Sequence, residues 1–255
     1  MAANVGSKTQ ASRQDSLRIL GILLFASVFA SISTISYGLT IAHQAIALPK
    51  ILLIAGSLSA IVTTPLASLG LWSRSQQSIA GSSFVKLFIK ERWLLSLFLA
   101  IGLGGLCGFF VVLSDQAFHS FIPVEIRDMV LPGFLPGLFA AFGAGVNEEI
   151  WFRLGVLTGL VGFGRWALKQ SQTSKVLFWA ANGLTALLFG AAHLPQFALM
   201  ASELPLIFIE VVLFQNSVVS VIFGWLYWQR GLLAAVVAHI TADAVIYVIV
   251  PAFTR

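Results

Sequence analysis

The amino-acid sequence predicts an all-helical protein that crosses a membrane about seven times. Hydrophobic residues make up 58% of the 255 residues and charged residues only 10%, whereas soluble domains carry about 25% charged residues. Apolar runs long enough to span a bilayer recur along the chain. The polar connections between these runs are short, which leaves no room for a separate soluble domain. We therefore expect a single membrane-embedded bundle of helices.

The elements can be assigned in chain order. Residues 1–17 are polar and basic and are predicted to be a cytoplasmic tail. Residues 18–132 are expected to form the N-terminal membrane helices, and residues 133–255 a helical core that carries the chemistry. The seven expected spans are 19–42, 51–72, 93–113, 133–160, 176–200, 205–228 and 231–251. The first run is too long for the apolar core of a signal peptide, so we interpret it as a membrane helix.

The distribution of charged residues and the single cysteine further narrow the class of protein. If the N-terminus is cytoplasmic, eleven Lys and Arg residues fall in inner segments and three in outer ones. Cytoplasmic segments carry the excess of positive charge, so this orientation is predicted, in a plasma or organelle membrane. The net charge of +5 is spread between apolar runs, which argues against a nucleic-acid partner. Cys107 is the single cysteine, which excludes an internal disulfide.

Small residues in the third span predict a close helix contact. Gly104 and Gly108 are four residues apart and lie on one face of that helix. Such a face lets two membrane helices approach closely, so we interpret it as a packing feature.

Two adjacent carboxylates and an arginine interrupt the apolar run between residues 134 and 160. Glu149 and Arg153 are four residues apart, with the acid nearer the N-terminus, which favours an ion pair on one helix face. Glu148 points about 100° away from that face and has no partner in its own helix. The simpler interpretation is a structural ion pair beside a stray acid. A charge in a membrane segment is costly, however, so a functional site is the better interpretation.

Two later spans carry further polar pairs. Phe189 and His193 lie in the fifth span, and His239 and Asp243 in the seventh. The spacing of four places both members of each pair on one helix face. Either histidine alone would be interpreted as a hydrogen-bonded structural residue. Two histidines, an aspartate and Glu148 together supply a base, an orienting acid and donors to an oxyanion, which are the groups that hydrolysis requires.

The three motifs together resemble those of a known family. Glu148-Glu149-x-x-x-Arg153, Phe189-x-x-x-His193 and His239-x-x-x-Asp243 are similar, in this order, to the motifs of the CAAX prenyl protease and bacteriocin-processing family of intramembrane proteases (the Abi family). The resemblance covers about residues 133–251. It implies an intramembrane endopeptidase that acts on a membrane-associated peptide, such as a prenylated CAAX peptide, without a cofactor.

The resemblance also implies roles for individual residues. Glu148 and His193 would activate a water, and His239 and Asp243 would stabilise the oxyanion. Glu149 and Arg153, together with Phe189, would support the site. The family usually has asparagine at the position of Asp243, and an ionised carboxylate cannot donate a hydrogen bond. Asp243 is therefore expected either to be protonated or to orient His239.

The predicted spans raise a question of depth. His193 would lie about 25 Å along the fifth span and His239 about 12 Å along the seventh, at a rise of about 1.5 Å per residue. The two histidines meet only if the fifth span is displaced inward or strongly tilted.

Other functions remain open from the sequence. His193, His239 and a glutamate could bind zinc, although the sequence has no His-Glu-x-x-His motif and the resemblance favours a metal-free mechanism. A proton-coupled transporter could use the same residues, with Glu210, Gln215 and Asn216 extending the path. No inverted repeat is evident and the polar residues cluster, which argues against transport. An inactive scaffold with the same fold is the third alternative.

Overall fold

The structure is a computed structural model that describes residues 2–35, 38, 48–75, 93–129 and 133–254. All regular elements within these ranges are helical, which confirms the predicted all-α fold. The α-helices are α1 (Ala2–Ser33), α2 (Leu48–Ser75), α3 (Trp93–Ala117), α4 (Val124–Arg127), α5 (Phe134–Glu148), α6 (Thr158–Ala167), α7 (Lys175–Ala198), α8 (Leu206–Arg230), α9 (Leu232–Ala244) and α10 (Val250–Thr254). A π-helical stretch, here called the π segment (Glu149–Leu157), joins α5 to α6. A 3-10 turn covers His119–Phe121, and a second π-helical turn covers Val245–Ile249.

The membrane character of the bundle is confirmed. Within the described ranges, six segments are long and apolar enough to cross a membrane: Gln14–Ser33, Leu48–Ser73, Trp93–Ala117, Lys175–Ala198, Leu206–Arg230 and Leu232–Phe253. The remaining expected span, 133–160, is helical from Phe134 onward. It is less apolar than these six because it carries Glu148, Glu149 and Arg153. The predicted number of seven spans is therefore approximate.

Two parts of the sequence-based topology fall wholly or partly outside the described residues. Residues 36, 37 and 39–42 of the first expected span lie outside them, as does the basic stretch with Lys86, Lys90 and Arg92. The predicted tail is described from Ala2 and belongs to helix α1.

The continuous helix formed by α5, the π segment and α6 is the centre of the bundle. Helix α1 packs against α5, and α2 packs against the π segment; α9 contacts both, and α7 and α8 also contact the π segment. Ile150, Leu154 and Leu157 of the π segment are almost fully buried in the core that these helices form. The charged residues of the first motif are thus surrounded by helices from both halves of the chain.

A single glycine connects the last two long helices. Gly231 follows α8 directly and has a φ of 94°, a conformation that strongly favours glycine because it has no Cβ. Helix α9 therefore starts without a loop, and His239 lies about 10 Å from its beginning, at a rise of about 1.5 Å per residue.

Helix α9 is held closely between α3 and α5. A methyl group at Gly104 would overlap the carbonyl oxygen of Ala238, and one at Gly108 would lie 2.6 Å from that of Ala242. On the α5 side, a methyl group at Gly145 would lie 2.6 Å from Cγ1 of Ile240. The predicted close packing of the Gly104 face is confirmed, and its partner is the backbone immediately before His239 and Asp243.

Candidate functional site

The carboxylates and the arginine lie where the central helix changes its hydrogen bonding. Glu148 is the last residue of α5, and Glu149 and Arg153 belong to the π segment. π-Helical stretches are rare and are frequently found at functional sites. The hydroxyl of Thr158 donates a hydrogen bond to the carbonyl oxygen of Arg153 at 2.9 Å, which adds a contact at the end of this irregular stretch.

Glu149 and Arg153 form the predicted ion pair. Arg153 Nε lies 2.9 Å from Glu149 Oε2, and both side chains are fully buried. Arg153 Nη1 donates a hydrogen bond to Ser220 Oγ at 2.8 Å. The guanidinium carbon lies 5.1 Å from the centre of the Phe189 ring, within the range of a cation–π contact. The pair is thus tied to α8 by Ser220 and to α7 by Phe189.

His239 is oriented by Glu149 rather than by Asp243. His239 Nδ1 lies 2.9 Å from Glu149 Oε1. Because Glu149 is paired with Arg153, its carboxylate accepts this hydrogen bond and Nδ1 donates it. The other ring nitrogen, Nε2, lies 3.7 Å from Asp243 Oδ2, which is too long for a hydrogen bond. The hydrogen bond that orients His239 is therefore the one that Glu149 accepts, and the role of Asp243 stays a prediction.

His193 presents a nitrogen to Glu148. His193 Nδ1 lies 2.8 Å from the carbonyl oxygen of Phe189, and a carbonyl only accepts, so Nδ1 carries the proton. In the neutral ring, Nε2 is then an acceptor. It lies 3.9 Å from Glu148 Oε2. His239 Nε2 lies 3.7 Å from the same oxygen, so Glu148 faces both histidines.

The contacts with Glu148 answer the question of depth. Helices α7 and α9 begin at Lys175 and Leu232, each within one residue of the predicted start. His193 therefore lies about 27 Å along its helix and His239 about 10 Å along its own, at a rise of about 1.5 Å per residue. Since both rings reach one carboxylate oxygen, the start of α7 lies farther from the site than the start of α9.

A cleft of about 250 Å³ opens beside the polar cluster. Glu148, His193 and Gln196 are its polar lining residues. The rest of the wall is apolar and consists of Val62, Leu66, Trp151, Phe152, Val156 and Ala192. A carboxylate and an imidazole are thus exposed to a small, mainly apolar space.

A buried polar network, which the sequence analysis did not identify, joins α1 and α2 to the site. The hydroxyl of Ser27 donates to Asn147 Oδ1 at 2.5 Å. The Ser27 oxygen also lies 2.7 Å from Ser59 Oγ and 2.6 Å from Thr63 Oγ1. Trp151 Nε1 donates to Thr63 Oγ1 at 2.7 Å. Each hydroxyl can therefore donate one hydrogen bond while Ser27 and Thr63 accept the others.

The network contacts the central helix on both sides of Glu148. Asn147 directly precedes Glu148, and Trp151 lines the cleft. The network therefore fixes the helix on both sides of Glu148. In the sequence, only the position of Asn147 next to two glutamates pointed to this network. The hydroxyl residues of α1 and α2 gave none, because serine and threonine are ordinary residues in membrane helices.

The three residues that a transport path would use lie in surroundings separate from the cluster around Glu148. Gln215 donates to Asp115 Oδ1 at 3.2 Å, and Asn216 donates to the Val212 carbonyl oxygen at 2.8 Å. Glu210 is exposed. These contacts do not connect the three residues to Glu148.

The geometry of the candidate zinc ligands bears on the zinc alternative. Across the described part of the chain, no group of three or more His, Cys, Asp or Glu side chains is arranged to hold a metal ion. A metal-free mechanism stays a prediction.

Comparison with known proteins agrees with the motifs. Residues 130–245 match the family described as type II CAAX prenyl endopeptidase Rce1-like. The match contains all three motifs and leaves out α1, α2 and α3. Neither the curated proteins nor the solved structures give a match. The family implies a protease. Residues 130–245 of this multi-pass membrane protein are therefore an Rce1-like segment, which confirms the resemblance to the CAAX prenyl protease family that the three motifs predict.

Proposed function

We propose that this protein is an intramembrane endopeptidase that hydrolyses a peptide bond with a water activated by Glu148 and His193. One observation carries the proposal. Glu148 Oε2 lies 3.9 Å from His193 Nε2 and 3.7 Å from His239 Nε2, and Glu148 and His193 line an apolar cleft. Such separations are too long for direct hydrogen bonds and suit a bridging water.

The first step is activation of the water. One hydrogen of the water bonds to the Glu148 carboxylate and the other to the lone pair on His193 Nε2, which directs an oxygen lone pair toward the substrate. Glu148 then takes the first proton as general base while the oxygen adds to the scissile carbonyl carbon. The product of this step is a tetrahedral oxyanion and a protonated Glu148.

The second step requires a donor for the oxyanion. His239 Nδ1–H donates a hydrogen bond to Glu149 and keeps its proton, so a second proton on Nε2 makes the ring a cation. The Glu149 carboxylate, which stays ionised, lies 2.9 Å from Nδ1 of this ring and stabilises the cation. The Nε2 proton of His239 is then directed toward the oxyanion. Glu148 returns its proton to the leaving nitrogen as the carbon–nitrogen bond breaks, which releases a carboxylic acid and an amine; the acid then passes its proton to the amine in water.

The buried ion pair supports this arrangement. Arg153 keeps Glu149 ionised, and Glu149 in turn fixes the tautomer of His239. The Phe189 ring packs at 5.9 Å from the His239 ring and 4.7 Å from the His193 ring, measured between centroids. Phe189 and the ion pair therefore act on the histidines through position and not through contact with the substrate.

The proposed substrate is a peptide that is associated with the membrane. The family suggests a CAAX-type endopeptidase, and the apolar cleft is consistent with a substrate held in an apolar environment. A prenylated CAAX peptide is the substrate that the family description suggests.

The test is peptide hydrolysis by the purified protein in lipid nanodiscs, with products identified by mass spectrometry. Glu148→Gln keeps the shape of the side chain and removes the base, so cleavage should fall by about 100-fold or more. Glu125→Gln is the matched control, because Glu125 is an exposed residue of α4. Equal cleavage by Glu148→Gln and the wild type would refute the proposal.

Metal dependence is tested in the same assay. Removal of metal with a chelator should leave the rate unchanged. Inactivation that added zinc reverses would instead establish a zinc-activated water.

A further inference from the structure

The cleft opens on the apolar outer surface of the bundle. Val62 lies near the middle of the span Leu48–Ser73 and is 38% exposed. Its neighbours on α2, Leu58 and Ile61, are 57% and 67% exposed. An apolar group that lies in the surrounding bilayer can therefore reach the cleft without passing through a polar region.

Part of the cleft wall comes from outside the family match. Val62 and Leu66 are one helical turn apart on α2 and both line the cleft. Residues 130–245, which match the family, supply Glu148 and His193 together with the remaining lining residues. The reacting groups and one apolar wall thus belong to different parts of the chain.

The wall on α2 is held firmly against the π segment. Thr63, which lies between the two wall residues, accepts the hydrogen bond from the indole of Trp151 at 2.7 Å. A methyl group at Gly155 would lie 2.8 Å from Leu66 Cβ, so only glycine allows this approach. Because close packing and a buried hydrogen bond both act here, the shape of the cleft is set before a ligand enters.

We propose that the cleft binds an apolar side chain of the peptide segment that is cut, and that Val62 and Leu66 determine which side chain is accepted. This inference rests on the proposed function. The volume of about 250 Å³ is below the range of about 300–1,000 Å³ that is typical of pockets for drug-sized ligands. It therefore suits one or two side chains. Apart from Glu148, His193 and Gln196 its lining is apolar, so burial of an apolar side chain supplies the binding energy.

Binding is tested first, in a form that does not need catalysis. The Glu148→Gln variant in nanodiscs is mixed with a set of peptides and irradiated. The peptides share one polar sequence, and each carries a single photo-leucine at a different position. Mass spectrometry then locates the crosslinks. We expect crosslinks to Val62, Leu66 or Trp151. Val62→Trp fills the cleft and should reduce capture about tenfold or more. Ile61→Trp, at the adjacent exposed position, should leave capture unchanged.

Selectivity is tested second, with peptides that differ only in an alanine, leucine or phenylalanine at the captured position. Val62→Ala and Leu66→Ala enlarge the cleft, so the ratio of kcat/KM for phenylalanine over alanine peptides should rise about tenfold. Ile61→Ala is the matched control and should keep the wild-type ratio. Val62 is partly exposed, so its variants should fold even if Leu66→Ala does not.

The outcomes separate this inference from the proposed function. Crosslinks that include none of Val62, Leu66 and Trp151, or a ratio that Val62→Ala does not change, would overturn the inference even if cleavage depends on Glu148. Capture of a photoactivatable phospholipid in place of the peptides would also overturn it, because the cleft would then be a lipid site. Capture on α2 with cleavage that Glu148→Gln does not affect would support the binding site and refute the proposed mechanism.

Discussion

The buried Glu149–Arg153 pair allows a quantitative prediction for stability. Replacing Arg153 with methionine keeps a long side chain but leaves Glu149 as an unpaired buried carboxylate. Removing one partner of a buried ion pair costs about 3–5 kcal/mol of unfolding free energy. Glu149 retains its hydrogen bond with His239 at 2.9 Å, so we expect the lower end, about 3 kcal/mol. Activity should fall as well, because the orientation of His239 depends on Glu149.

The assay is unfolding in mixed micelles, with tryptophan fluorescence as the probe. Arg127→Met is the matched control. Arg127 also pairs with an adjacent carboxylate, that of Asp128, at 3.0 Å, but its side chain is 34% and that of Asp128 64% exposed. An exposed pair contributes about 0–1 kcal/mol, so this variant should unfold almost like the wild type.

The double variant Glu149→Gln with Arg153→Met separates stability from activity. Removing both charges eliminates the unpaired carboxylate, so most of the unfolding free energy should return. Activity should stay low, because a neutral amide does not stabilise a cationic His239. Wild-type stability of Arg153→Met with loss of activity alone would refute this reasoning and would indicate that Arg153 contacts the substrate.

Three further predictions concern the site. His193→Ala should reduce cleavage about 100-fold, and combining it with Glu148→Gln should add little, because the two residues activate one water; full additivity in kcat/KM would contradict a shared role. Asp243→Asn should keep near-wild-type or higher kcat, since an amide can donate to the oxyanion; a loss as large as that of Glu148→Gln would make the negative charge essential. Gly104→Leu should lower kcat about tenfold or more, because its side chain collides with the backbone before His239. Gly102→Leu, where nothing lies within 4 Å of an added Cβ, should not.

Local spacing explains which parts of the site could be predicted. The Glu149–Arg153 pair follows from four residues of separation on one helix and is present as predicted. The pairing of His239 with Glu149 joins residues that are 90 positions apart, and no periodicity in the sequence encodes it. Asp243 was the nearest acid to His239 along the chain, but the hydrogen bond goes to a different helix.

The sequence by itself determined the fold class, the membrane environment and the three motifs. Each of these depends on composition or on spacing within one helix, which hydrophobicity and helical geometry translate directly into structure. Only the tertiary structure decided that His193 and His239 face one oxygen of Glu148. It alone also placed Val62 and Leu66 in the cleft wall and linked Ser27 to Asn147 across 120 residues. These contacts depend on how far each helix is displaced along its neighbours. That displacement follows from close packing at residues such as Gly104 and Gly155, which the pattern of a single helix does not reveal.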